Sequence, residues 1–214
     1  MPTLVRSLLA AVVATAASVG AGVALVGPAE RDAAVPEVAP SVTLADLDTT
    51  TLAASRAGFC AGVAPAQVVE ALGAEPTDTT SYDNGEQVLL AGDLTDVAHE
   101  FGCTWTAADG GRARGWVFAP PVTTDRAARL VRAAQRGEGC RRLPGAAAYG
   151  VPSVAVVCPV DGGREVSYRG LFGDAWLSCA LSAPATTSRE ELLGRADRWC
   201  ATVAVAGTAG SAAG

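Results

Sequence analysis

The apolar and polar positions of the 214-residue chain fall into three regimes. Ser7 to Gly27, "SLLAAVVATAASVGAGVALVG", runs twenty-one residues without a charge behind Arg6. From Pro28 to about Arg56, Ala, Pro, Val, Thr and acidic residues follow one another with no lasting period, the composition of a tether. Periodic elements begin near Gly58. "APAQVVEALGAEP" predicts a short helix from Pro65, a residue suited to a first helical position, to Leu72, with Gly73 as its left-handed stop and Pro76 beyond. Ala74 to about Val97 is acidic and rich in Thr, Asp and Gly; it reads as a long loop, or as a loop with one extra strand at "EQVLL".

Beyond it the period becomes two. Phe101, Cys103 and Trp105 alternate with Gly102, Thr104 and Thr106, the pattern of a strand with one apolar face. "ADGGR" then signals a hairpin, and "ARGWVFAP" returns as the neighbouring strand. The module recurs in "SVAVVCPVDGGREVSYRGLF", and "AWLSCALSA" adds a third strand after the Gly173-Asp174 turn. Two helical stripes complete the set. In "TTDRAARLVRAAQRG" Ala127, Leu130, Val131 and Ala134 share one side and Arg129, Arg132 and Arg136 the other, with Thr124 or Asp125 as the cap and Gly137 as the stop. In "TSREELLGRADRWCATV" Leu192, Leu193, Ala196, Trp199, Cys200 and Val203 fall at helical spacing behind a capping-box signature at Thr187 and Ser188.

The order helix, two strands, helix, three strands, helix predicts an α+β domain: an antiparallel sheet of about five strands with helices packed on it, cross-linked by disulfides and preceded by an N-terminal apolar helix. The expected organisation is a signal or anchor segment at 1–27, a flexible tether at 28–57, the α+β extracytoplasmic domain at 58–206 and a disordered tail at 207–214. The apolar run has the length of a spanning helix, about 20 residues, while "GAGVA" and "GPA" would also suit a signal peptidase acting after Ala24 or Ala29. Arg6 before the run and "AERD" after it put residue 1 in the cytoplasm and the rest outside.

Six cysteines behind an export segment predict disulfides. Cys60, Cys103, Cys140, Cys158, Cys179 and Cys200 include no close-spaced pair of the kind zinc fingers and thioredoxin-like sites need. Cys179 and Cys200 sit on the inward sides of consecutive elements and should pair. Cys140, just past the arginine helix, then meets Cys158 on the next strand, and Cys60 is left for Cys103.

The lone histidine, His99, precedes Cys103 by four residues, but in a strand that spacing is about 13 Å at roughly 3.3 Å per residue, too far for proton transfer. His99 is expected to be exposed at a strand entrance. No G-x-S-x-G, H-E-x-x-H, P-loop or G-x-G-x-x-G motif occurs. The carboxylate pairs Asp93 with Asp96 and Glu190 with Glu191 read as a solvated loop and a helix cap. No catalytic residue, metal site or cofactor is therefore assigned.

Charge narrows the partners. The chain carries 16 basic and 22 acidic side chains, and every basic one is arginine, which excludes lysine chemistry. Residues 1–107 hold 13 acidic and 3 basic side chains, residues 108–214 hold 9 and 13. A net acidic protein is a poor nucleic-acid binder. One positive surface stands out: Arg126, Arg129, Arg132 and Arg136 along a helix, extended by Arg141 and Arg142 past Cys140. Such a row suits carboxylate or phosphate, which arginine grips bidentately.

"FCAGVAPAQVVEALG" followed by "GCTW" resembles small exported domains of unknown function in high-GC Gram-positive bacteria, in which a cysteine before a short helix ending in Leu-Gly is followed by a cysteine-tryptophan strand. The resemblance spans roughly Phe59 to Val205 and implies an α+β sandwich in the PsbP-like style, with no catalytic residues to carry over. Those domains are often lipid-anchored, and the cysteine that would carry the lipid does not follow the apolar run here. The expected role is an extracytoplasmic, membrane-tethered binding or accessory domain of the cell envelope, whose partner is an envelope protein, a polymer or a small ligand. The alternative is an envelope enzyme using carboxylates the sequence does not single out.

Overall fold

The structure is a computed structural model that describes residues 42–91 and 94–209. The apolar run at 7–27 lies outside the described residues; among those described, no helix is long and apolar enough to cross a membrane. The periodic segments form helices α1 (Pro65–Leu72), α2 (Thr124–Ala134) and α3 (Arg189–Ala209). Among the described residues nine strands accompany them: β1 (Pro76–Tyr82), β2 (Gln87–Ala91), β3 (Leu94–Val97), β4 (Glu100–Ala107), β5 (Arg112–Phe118), β6 (Arg141–Arg142), β7 (Ser153–Val160), β8 (Gly163–Phe172) and β9 (Ala175–Pro184).

Seven strands build one antiparallel sheet in the order β1-β4-β5-β9-β8-β7-β6, and β2 with β3 form a separate hairpin. The hairpins joining β4 to β5, β7 to β8 and β8 to β9 turn through Gly110, Gly162 and Gly173, each at positive φ, where a side chain would strain the backbone. The count of strands corrects the expected five. Both extra strands lie at the edges: β1 pairs only with β4, and β6 only with β7. An edge strand has one neighbour and little to bury, so β1, "PTDTTSY", is exposed through its middle and carries no alternation to read. The strand foreseen at "EQVLL" corresponds to β2, and the rest of that region, expected as loop, forms β1 and β3.

Strand register sorts the side chains into two faces. Trp105, Ala113, Leu181, Val166 and Val157 lie opposite one another in a row across the sheet. This face packs under α1 and α3, where Trp105 meets Trp199 edge-on at 5.3 Å and the Trp199 indole N–H donates to the Arg114 carbonyl at 3.0 Å. Leu177, Val203 and Cys200 have no exposed surface there, and each buried aliphatic side chain contributes about 1.5–3 kcal/mol. The opposite face is covered at one end by α2. Ala127 and Ala134, helped by Leu130 and Val131, rest on Leu171, Trp176, Val154 and Val156.

The bonds Cys60–Cys103, Cys140–Cys158 and Cys179–Cys200 are present, and no cysteine is free. They tie the approach to α1, the end of α2 and the middle of α3 to the sheet, and three such bonds fit an oxidising, extracellular setting.

Two expected boundaries move. Residues 43–57, expected as the end of the tether, pack on the domain. Leu44 is buried and its N–H donates to Asp197, Thr49 bridges the Ala148 carbonyl and the Gly150 N–H, and the Ala54 and Ser55 N–H groups donate to Phe172 and Gly207. One buried leucine, the Thr49 hydroxyl and a few hydrogen bonds at irregular spacing hold this stretch, and none of these leaves a periodic trace. At the other end the expected tail continues as helix through Ala209, with Gly207 buried against Leu177.

Candidate binding surfaces

Helix α2 begins one residue earlier than its sequence signals. Thr123, not Thr124 or Asp125, is the cap, its hydroxyl accepting the Arg126 N–H at 3.3 Å, and the helix ends at Ala134, ahead of Gly137. Gly137 instead makes room for a disulfide, because a Cβ there would come within 2.7 Å of the Cys140 sulfur and only glycine lets the chain fold back into that bond. With its small apolar side seated, α2 presents Arg126, Arg129 and Arg132 to solvent; Arg136, expected on the helix, lies in the turn two residues past its end, also exposed, and none of the four forms an ion pair with a described residue.

The expected six-arginine surface divides at Cys140. Arg142 lies opposite Val156, in the row of the α2 face, whereas Arg141 lies opposite Val157, in the row that packs under α3. Both residues are in β6, and adjacent residues of a strand point to opposite sides. Arg141 therefore leaves the surface assigned to it from sequence.

Beyond α2, the same sheet face carries a polar cluster that the sequence pattern did not single out. The small residues Ser178, Ala180 and Ser182 of β9 form its floor, and longer side chains of β5 and β8 meet above them. Arg114 donates to Glu165 at 2.7 Å, and the Arg114 and Arg169 guanidiniums lie 5.5 and 6.0 Å from the centre of the Trp116 ring. Burial lowers the Arg169 pKa against the opposing pull of Glu165. Ser178 Oγ, Ser182 Oγ, Arg114 Nε and Arg169 Nε are buried without a hydrogen-bond partner among the described residues. The alternation in "ARGWVF" and "EVSYRG" was the available signal, since it puts Arg114, Trp116, Glu165 and Arg169 opposite the apolar row.

At the end of this face near β1, the Tyr82 hydroxyl donates to Glu100 at 2.5 Å. Burial raises the Glu100 carboxyl above its usual range, opposed by the Tyr82 hydroxyl and the Arg114 charge, and burial beside Glu100 raises Tyr82 as well. Gly102 makes room for this pair, because a Cβ there would run into the Tyr82 ring. A cavity of about 430 Å³ opens on the other face between α1 and β1, floored by Trp105 and the Cys60–Cys103 bond.

The remaining candidates are separated. His99 is exposed in the bend before β4, and Cys103 has no thiol to offer because its sulfur is bonded to Cys60. Asp93 lies outside the described residues. Asp96 is exposed and accepts its neighbour Val97 N–H, while Glu191 pairs with Arg195 and Glu190 faces solvent. Among the described residues no group of three or more His, Cys, Asp or Glu side chains is placed to hold a metal ion. No protein-family model matches the chain, and no curated protein matches it in sequence.

Proposed function

We propose that the chain is a non-catalytic, extracytoplasmic binding domain of the cell envelope, held at the membrane by residues 7–27, and that the outer side of α2 takes a partner presenting carboxylates or phosphates. The observation that carries this reading is the row of exposed Arg126, Arg129 and Arg132 on a helix anchored at both ends, continued by Arg136 in the turn after it, none of them paired with a described residue. Two apolar clusters and the Cys140–Cys158 bond fix the helix, so little order has to be created when a partner arrives. Guanidinium groups held in this way grip oxyanions in a fork, and a surface rich in arginine is typical of binding patches. The three disulfides support the extracytoplasmic setting, and the uncharged run behind Arg6 supports the tether. The partner is an acidic envelope protein, an acidic envelope polymer or a small anionic ligand; no nucleic acid and no cofactor enter the reading.

Charge reversal at Arg129 and Arg132 tests it. Both side chains are exposed, so the double variant R129E/R132E should melt like the parent, surface substitutions costing less than about 0.5 kcal/mol. Cross-linking in native envelope should then lose the acidic partner captured by the parent. Capture unchanged through both reversals at low salt would leave the arginines as solubilising charge. Export is checked separately: a reporter joined after Gly214 that is active only in the cytoplasm would overturn the extracytoplasmic placement.

A further inference from the structure

We propose a second site, for a compact phosphate group, on the opposite face of the sheet, where Arg141, Arg164 and Arg189 converge on a cavity of about 360 Å³. Strand register explains the convergence. Arg141 continues the row of Val157, Val166 and Leu181, and Arg164, two residues before Val166 on β8, points to that same face. Arg189 reaches it from the first residue of α3. Three residues distant in sequence thus bring three positive charges to one concavity in a protein of net charge −6.

Among the described residues no carboxylate lines the cavity, and none of the three arginines forms an ion pair. Glu138 and Asp161, close by in sequence, are exposed and are not part of its wall. Glu190 and Glu191, next to Arg189, line a different depression together with Arg195 and Arg198. Like charges gathered without a counter-charge repel one another, and an anion bound among them relieves that repulsion.

The frame is stiff. Pro159 and the Cys158 half of the Cys140–Cys158 bond form one wall, and a Cβ on Gly139 would meet Pro159 at 2.7 Å, so the backbone there is in close contact. Arg164 is held in the ladder between Pro159 of β7 and Ala183 of β9.

Size and donor geometry select the ligand class. The volume is at the small end of ligand pockets, about 300–1,000 Å³, which suits a phosphate or diphosphate head and not an extended polymer. A carboxylate offers two oxygens and is satisfied by one guanidinium fork; three forks match the additional oxygens and charge of a phosphate. That phosphate can be free or carried on a lipid head. The site stands independently of α2, which lies on the other face.

The full chain is titrated calorimetrically with inorganic pyrophosphate and, in parallel, with a short-chain, water-soluble phosphatidylglycerol. R141Q, R164Q and R189Q are compared with R112Q, an exposed arginine outside both proposed sites, and melting verifies that every variant is folded. Saturable pyrophosphate binding that weakens at least tenfold in each of the three single variants, and is retained in R112Q, supports the site with a free ligand. The same pattern with the lipid alone supports it with the phosphate on a lipid. Binding of neither probe, binding unchanged in the three variants, or an equal loss in R112Q overturns the proposal.

Discussion

The Cys179–Cys200 and Cys140–Cys158 bonds separate two sources of disulfide stabilisation, because they close loops of nearly equal length, with sequence separations of 21 and 18. Chain entropy alone assigns them about 3.3 and about 3.2 kcal/mol at 25 °C. Their surroundings differ. Cys179 and Cys200 have no exposed surface and lie where α3 crosses β9, while Cys140 and Cys158 are only half-buried at the end of α2. Replacing a buried cysteine by alanine also removes a sulfur about the size of a methylene, worth about 0.8 kcal/mol of burial, and two leave a void that costs a little more. The double variant C179A/C200A should therefore lose about 5 kcal/mol, and C140A/C158A about 3 kcal/mol. A domain stable by about 5–15 kcal/mol survives the second comfortably and the first narrowly. Guanidinium unfolding of both variants and the parent under one redox condition measures the difference. Equal losses, within about 0.5 kcal/mol, or the reverse order would refute the claim that core packing adds to loop closure at Cys179 and Cys200.

Leu44→Ala tests where the domain begins: the side chain is 1% exposed, so truncation should cost about 2–4 kcal/mol in chemical unfolding, whereas a residue in a tether would cost less than about 0.5 kcal/mol. Glu100 governs part of the acid dependence. Its folded carboxyl is held above the ordinary 4.5, so its contribution is fully present below pH 4.5 and is lost as pH rises through the higher folded value. Glu100→Gln, which retains an acceptor for the Tyr82 hydroxyl, should lose less stability than the parent between pH 4.5 and neutrality. Denaturation midpoints that follow the same pH curve in both proteins would refute that origin.

Local physics made much of this protein legible in its sequence. Period-two alternation in "FGCTW", "ARGWVF" and "AWLSCALSA" marks strands that bury one face on a helix, and the Ala127–Ala134 and Leu192–Val203 stripes mark the helices that cover them. The pairing of the cysteines was equally accessible, since each lies on the inward side of an element or beside one, and short connections leave few partners within reach. The edge strands left no such trace because a strand with one neighbour needs no apolar face, and residues 43–57 left none because scattered single contacts, not a periodic face, attach them. The arginines illustrate the division most plainly. Helical spacing alone places Arg126, Arg129 and Arg132 on the exposed side of α2, since the turn of a helix is fixed by its own backbone. Tertiary pairing alone decides which face Arg141 takes and which Arg142: alternation along a strand separates neighbours, but the side each one takes is set by register with the partner strand, here β7, and register is a property of the assembled sheet.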